Sequence, residues 1–367
     1  MKLFETTQLG PMTLKNRLWR SATWLNMADD KGHITEQLEK TYIALAKGGV
    51  GTIITGYAFV REDEQPNPGM LGIYDDAFIP EYKEFVQKLK AEGANVVMQI
   101  VYGGSATDFQ PEGRTIWGPS AVPHPMFGTI PTEMSQADIR TLVADFARAA
   151  RRVKEAGFDG VQLHGAHTYL FSQFLSPYYN RRQDEYGGSI ENRGRIIFET
   201  VRAIREEVGE EYPVLIKMHC SDDWDEHGLS VEESMVVAKG LERLGVSAIE
   251  FSGGNLDTTN YPEASPIRSG IIKQEKQSYF AKKTAEIAKH LTIPVISVGG
   301  HRTPEVLETL LEETPIQYFS FSRTLLSEPD LPNRWQSGDY GKPRCISCSK
   351  CWHPDGNICI LDRPKKS

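Results

Sequence analysis

The chain has 367 residues, 40% hydrophobic and 25% charged, with 41 basic against 49 acidic side chains and a net charge of −8. That length can bury a large core, as one α/β barrel or as two domains. The acidic balance, without any basic block, argues against a nucleic-acid or anionic-membrane partner. No apolar run approaches the ~20 residues of a membrane span, and the start MKLFETTQLG lacks the apolar centre of a signal peptide, so a cytoplasmic protein is expected.

In chain order, residues 3–14 (LFETTQLGPMTL) predict a short hairpin turning at Gly10-Pro11. Short β-like runs then alternate with helical patterns. The predicted strands are Arg17–Ala22, Thr52–Phe59, Val96–Tyr102, Val161–His164, Val214–Met218, Ala248–Ser252, Val295–Val298 and Tyr318–Ser322. The predicted helices are Thr35–Lys47, Pro80–Glu92, Ser135–Ala156, Ile190–Glu207, Val231–Leu244, Lys276–His290 and Pro304–Glu312. Strict alternation implies a parallel sheet covered by helices, and eight units favour a closed (β/α)8 TIM barrel over an open doubly wound sheet. No Gly-rich dinucleotide fingerprint follows the first strand. The barrel is expected over residues 1–340 and a Cys-rich tail over 341–367. Two segments are too long for plain barrel connections: Asp108–Glu133, with Pro111, Pro119, Pro123, Pro125 and Pro131, and Asn255–Lys273. Both are expected to cap the mouth and shape the substrate site.

Such a barrel carries its chemistry at the C-terminal ends of its strands. Those ends read Ser21-Ala22-Thr23-Trp24, Gly56-Tyr57, Gln99 with Tyr102-Gly103-Gly104, His164 to Tyr169, Lys217 with His219, Ser252-Gly253-Gly254, Gly299-Gly300-His301 and Ser322-Arg323. Gly299-Gly300 and Ser322-Arg323 follow the seventh and eighth strands, where barrels bind phosphate. The fourth end places His164, His167 and Tyr169 within six residues, followed by the polar run DEYGGSIENR. Two imidazoles and a phenol there can hold one ligand oxygen and deliver a proton nearby. A polar loop with two satisfied histidines is the bland alternative, and the whole pattern weighs against it.

The run HGAHTYLFSQFLSPYYNRRQDEYGGSIENRGR resembles the signature of the old yellow enzyme family of FMN-dependent oxidoreductases, with weaker similarity from Leu3 to Arg323. The resemblance implies FMN across the barrel mouth. Its phosphate would lie at Gly299, Gly300, Ser322 and Arg323, and its pyrimidine against Gln99. Lys217 would face N1 and N10, Ser21, Ala22 and Thr23 the N5 and O4 side, and Gly56 would pack beside the ring. It also implies that His164 and His167 hold a carbonyl, nitro or phenolate oxygen while hydride passes from N5 to the β-carbon. Tyr169 would protonate the α-carbon, and NADH or NADPH would reduce the flavin. The expected partner is a small molecule with a conjugated carbonyl or similar group; a homo-oligomer is expected by the same resemblance.

Three departures stand out. Lys217 replaces the arginine of most relatives, keeping the charge without the planar fork. Ser-Ala-Thr-Trp replaces Ser-Pro followed by a Thr or Cys two residues on, so that either Thr23 or Trp24 could meet N5. Tyr102-Gly103-Gly104-Ser105 replaces His-Ala-Gly-Arg and is closer to the trimethylamine dehydrogenase branch.

The tail reads CISCSKCWHPDGNICILDR, with Cys345, Cys348, Cys351 and Cys359. Four thiolates at this spacing suit a [4Fe-4S] cluster or a structural zinc; disulfides are least expected in a reducing compartment, and a metal-free remnant stays open. Trimethylamine dehydrogenase and 2,4-dienoyl-CoA reductase carry a similar cluster with a longer last spacing, ahead of a second nucleotide-binding domain. The leading reading is an FMN-dependent, NAD(P)H-driven ene reductase. The alternative is an amine or C–N oxidising dehydrogenase feeding electrons to a tail cluster. A metal-dependent hydrolase using His164 and His167 as ligands comes third, their spacing being poor for one shared ion.

Overall fold

Residues 7–14 set the floor of the molecule. Strands β1 (Thr7–Leu9) and β2 (Met12–Leu14) pair antiparallel around Gly10, whose φ of 54° only glycine adopts readily. Their alternation buries Leu9, Met12 and Leu14 against Trp19, Val97, Leu215, Ala248, Ile296 and Tyr318, inward-facing residues of the barrel strands. The hairpin therefore plugs the N-terminal end of the barrel. The computed structural model describes residues 1–109, 114–257 and 260–363; Pro111, positions 258 and 259 of the second long segment and the last four tail residues lie outside the described residues.

Eight parallel strands follow: β3 (Leu18–Arg20), β4 (Thr52–Ile54), β5 (Asn95–Val101), β6 (Gly160–Gly165), β7 (Val214–His219), β8 (Ala248–Ser252), β9 (Val295–Val298) and β10 (Tyr318–Phe321). Each pairs with the next, and β10 pairs with β3, closing the barrel. Helices α1 (Glu36–Lys47), α2 (Phe78–Ala91), α3 (Gln136–Glu155), α4 (Arg195–Val208), α5 (Val231–Arg243), α6 (Ala281–Ala288) and α7 (Pro304–Glu313) cover it. Thr35, Ser135 and Ser230 cap the starts of α1, α3 and α5, the last two as capping boxes with Asp138 and Glu233. No helix among the described residues is long and apolar enough to cross a membrane.

Three predicted elements differ. The strand expected over Thr52–Phe59 ends at Ile54, because Gly56 N–H donates to the Tyr42 hydroxyl at 2.6 Å instead of to a neighbouring strand. Ala58–Phe59 is a separate short strand pairing with Leu71–Gly72 and β5. The helix expected over Ile190–Glu207 is two, Ile190–Arg193 and α4, meeting at Gly194. The helix expected from Lys276 begins at Ala281, because Ser278 takes a φ of 50° and interrupts it. Short helices at Leu170–Leu175, Arg323–Ser327 and Leu331–Gln336 complete the mouth side and the run to the tail.

The polar run after β6 turns out to clamp loops together. Arg182, 7% exposed, donates to the carbonyls of Pro119 at 3.1 Å and Met134 at 2.7 Å and pairs with Asp184. It thereby ties the middle of the first capping segment, and the residue just past its end, to the run after β6. Arg193 donates to the Leu175 carbonyl and pairs with Glu233 of α5. Arg182→Ala leaves two buried carbonyls without a donor, at about 1–3 kcal/mol each. Thermal unfolding should begin earlier by a matching amount, and limited proteolysis should open the segment around Pro119 first.

Candidate active site

Two residues beyond its apolar layer the barrel interior turns polar. Ser21, Gln99, Lys217, Glu250 and Ser320 stand two positions beyond Trp19, Val97, Leu215, Ala248 and Tyr318, on the same inward face. Lys217 Nζ lies 3.3 Å from Glu250 Oε1 and donates to Ser21 Oγ at 2.8 Å. Ser21 and Ser320 hydroxyls donate to Glu250 Oε1 at 2.7 and 2.6 Å, and Gln162 Nε2 donates to Oε2 at 3.0 Å. Gln99 Nε2 donates to Gln162 Oε1 at 2.7 Å, leaving Gln99 Oε1 buried without a partner. Burial pushes the Glu250 carboxyl up, but the Lys217 ammonium and its hydrogen-bond donors outweigh it and hold the group below the usual range.

Above this floor the two histidines and the phenol come together. His164 packs 4.7 Å from the Tyr169 ring and 5.3 Å from His167, centroid to centroid, and its Nδ1 is buried without a partner. His167 Nε2 lies 2.8 Å from Ser252 Oγ. Burial, and then the Lys217 charge, push both imidazoles well below their ordinary range, so both are neutral at pH 7. Tyr169 Oη donates to Tyr57 Oη at 3.1 Å, and Asn67 Nδ2 donates to both hydroxyls, at 3.2 and 3.3 Å.

The turn carrying His167 is held from two sides. His167 and Thr168 both adopt left-handed conformations, φ 57° and 61°, which cost energy in non-glycine residues. His219 Nε2 accepts the His167 N–H at 2.8 Å, and Asp222 fixes His219 through Nδ1 at 2.7 Å. From the first capping segment, His124 Nε2 meets Thr168 Oγ1 at 2.9 Å, while its Nδ1 accepts from Met126 and Phe127 N–H. Burial pushes His124 down to about 3, which keeps it neutral.

A cavity of about 490 Å³ opens over the floor, lined by Ser21, Ala22, Thr23, Tyr57, Asn67, His167, Tyr169, Lys217 and Ser252. Gly299, Gly300, Ser322 and Arg323 line it as well. A Cβ at Gly299 would come within 2.7 Å of Phe280 and one at Gly300 within 2.7 Å of Tyr279; their φ values are 114° and 78°. Bare backbone is thus required at this end, beside the Arg323 guanidinium. Thr23 Oγ1 donates to Ser322 Oγ at 2.9 Å, and Arg323 donates to Ser349 Oγ at 2.7 Å. Gly56 lies behind the cavity wall, where a Cβ would meet the Thr23 carbonyl at 2.8 Å. Gln99 and His164 sit below the lining.

The tail closes one side of this space. Asn357 donates to the carbonyls of Leu25 and Trp24 at 2.6 and 3.0 Å, and Cys345, Cys351 and Trp352 line the cavity. None of the four tail cysteines is in a disulfide. Burial raises the Cys351 thiol, with the Cys345, Cys359 and Cys348 thiols adding to the shift. Among the described residues no three His, Cys, Asp or Glu side chains are grouped as ligands of a single metal ion.

The strand ends and the resemblance mark the histidines, Tyr169, Lys217 and the glycines, and the structure brings His167, Tyr169, Lys217, Gly299 and Gly300 to one cavity. It adds Glu250, Gln162, Asn67 and Asp222, makes Tyr57 a partner of Tyr169, and makes His219 a partner of the turn that carries His167. Glu250 was hidden inside the otherwise apolar β8; its mark was a lone acid at an inward position two residues before Ser252.

Residues 2–341 match the NADH:flavin oxidoreductase / NADH oxidase family, and the chain belongs to that family of enzymes. It is 35% identical over 350 residues to an NADH oxidase of Thermoanaerobacter brockii and 33% identical over 350 residues to a metal reductase of Desulforamulus reducens. These alignments cover 95% of this chain but only 52% and 51% of the relatives, so the chain spans about half their length. The solved 2-naphthoyl-CoA reductase superposes with a TM-score of 0.88 at 25% identity, over 99% of this chain and 57% of that one.

Glu250→Leu leaves the Lys217 ammonium buried and unpaired, and should destabilise the chain by about 3–5 kcal/mol. Adding Lys217→Met should recover most of that loss in denaturant unfolding. Because the folded carboxyl lies below its ordinary 4.5, its contribution is complete above that pH and disappears as pH falls through the folded value. The wild type should therefore lose stability on acidification more steeply than the double variant.

Proposed function

We propose that this chain is an FMN-dependent, NAD(P)H-driven reductase of activated carbon–carbon double bonds. The observation that carries this reading is one cavity with an imidazole and a phenol over a cationic floor, and a bare-backbone, arginine-flanked recess. The donor set fits FMN. Gly299, Gly300, Ser322 and Arg323 would hold its phosphate, as backbone N–H groups and a guanidinium do. The orphaned Gln99 Oε1 would accept from the pyrimidine imide, Lys217 would face its N1 edge, and Ser21, Ala22 and Thr23 would border its central ring. Bound there, FMN supplies two-electron redox chemistry, reduced by NAD(P)H and reoxidised by the substrate.

His164 and His167, neutral at pH 7, act as hydrogen-bond donors to a substrate oxygen and polarise the conjugated bond through it. Tyr169 supplies a proton at the α-carbon. The left-handed turn fixes where these donors point, so little orientation remains to be frozen when substrate binds. Aromatic and apolar side chains (Trp24, Met126, Phe127 and Trp352) shield the cavity from water and accept an unsaturated carbon skeleton.

For the tail, a [4Fe-4S] cluster is the better reading, because the C-x2-C-x2-C spacing of Cys345, Cys348 and Cys351 with Cys359 further on suits one and the other three thiols lie near enough to Cys351 to act on it. The second reading, C–N oxidation with electrons leaving through the tail, is favoured by Cys345 and Cys351 lining the same cavity.

An absorbance spectrum of anaerobically purified protein tests both cofactors. Flavin bands that bleach with NADH or NADPH and return with an enone support the first reading; a colourless protein that fails to bind FMN sinks it. Iron content and electron paramagnetic resonance of the reduced protein decide the tail. His164→Asn and His167→Asn should each raise KM for the enone about 10- to 100-fold, one or two lost hydrogen bonds at 1.4 kcal/mol per decade. Because both imidazoles stay neutral well below pH 6.5, enone reduction should show no titration step between pH 6 and 8.

A further inference from the structure

We propose that Tyr57 is a second catalytic phenol, forming with Tyr169 a single proton-delivering pair in which either hydroxyl serves the substrate and the other restores it. This rests on the reductase reading above and extends it to a residue from a different strand end.

The argument is a count of protons. Each phenol has one proton to donate, and its oxygen accepts about two hydrogen bonds. The Asn67 amide gives one hydrogen bond to each oxygen, at 3.2 Å to Tyr169 and 3.3 Å to Tyr57. The Oη–Oη bond of 3.1 Å consumes one of the two phenolic protons. No further acceptor for the other is present among the described residues, and both rings line the cavity. The pair therefore always presents one free proton there. It belongs to Tyr57 when Tyr169 donates across the bond, and to Tyr169 when the bond is reversed. Both hydroxyls resist ionisation, burial being the main cause, so the protons stay on the pair until a basic carbon takes one.

The step balances. The substrate receives an electron pair and hydrogen at its β-carbon from the NAD(P)H-reduced flavin. The resulting α-carbanion forms a C–H bond with the free phenolic proton as that O–H bond breaks. The neighbouring phenol passes its own proton across the Oη–Oη bond, water reprotonates the pair, and the Asn67 amide stabilises the transient phenolate.

The experiment uses the FMN-loaded chain with Tyr57→Phe, Tyr169→Phe and the double variant, and 2-cyclohexenone as probe. Each single variant should slow reoxidation of the reduced flavin by about 3- to 10-fold. The double variant should slow it by about 10²- to 10⁴-fold, the usual worth of general acid catalysis. FMN affinity and bleaching by NAD(P)H should stay unchanged in all three. In flavin-free protein labelled with 13C at tyrosine Cζ, removing either ring should shift the other's resonance, a readout independent of turnover. Abolition by Tyr169→Phe alone, a double variant no slower than Tyr169→Phe, or an unmoved resonance overturns the pair. A wild-type flavin that neither nicotinamide bleaches, or that the enone leaves reduced, removes the reductase reading and the donor role with it. Normal bleaching and reoxidation with a dead Tyr169→Phe removes only the role of Tyr57.

Discussion

An ion pair inside a barrel is expensive unless the polar atoms of the pair itself are satisfied. Lys217 and Glu250 meet that condition through Ser21, Ser320 and Gln162, contributed by three further positions around the closed sheet. The arrangement depends on strand register. A shift of one residue in β7 or β8 would turn one partner out of the interior and leave the other charge unpaired. The hairpin-sealed apolar layer beneath excludes water from below. The pair thus joins the closed sheet, the filled interior and a positive charge displayed at the mouth.

The fold was legible because its period was simple. Ala248–Ser252 and Val295–Val298 appear with the bounds that their β-branched runs predict, and most helices lie within a residue or two of the pattern. The failures have local causes that no window of hydrophobicity contains: a tyrosine hydroxyl from α1 taking Gly56 N–H, and a left-handed Ser278. The site was legible only where chemistry sits close in sequence. His164, His167 and Tyr169 announce themselves within six residues. Asn67 lies 102 positions from the phenol it touches and Glu250 lies 229 from Ser21, so neither pairing leaves a trace in a linear reading. The polar run after Tyr169 misled in another direction. Its arginines are numerous because loops wrapped over a barrel leave carbonyls to satisfy, and Arg182 and Arg193 do so.

The tail adds a constraint that the barrel alone lacks. Asn357, Arg344 and Cys359 fasten it to the residues beside Trp24 and to Ser327, bringing thiols to a wall of the same cavity that holds the phenols. Whatever occupies the space meets sulfur on one side and imidazole on the other.

The braced turn at His167–Thr168 has a consequence for how such a molecule can diversify. His124 belongs to the first capping segment, yet it meets the Thr168 hydroxyl in the turn that carries His167. Rim and centre are therefore mechanically one part. A change in the rim that moved His124 would re-aim the His167 imidazole as well as reshape the doorway, so recognition and reactivity would drift together. The opposite rim, around Leu256, is tied in as well: Asn255 Nδ2 donates to the Asp222 carbonyl at 3.0 Å, and Asp222 fixes the His219 that accepts the His167 N–H.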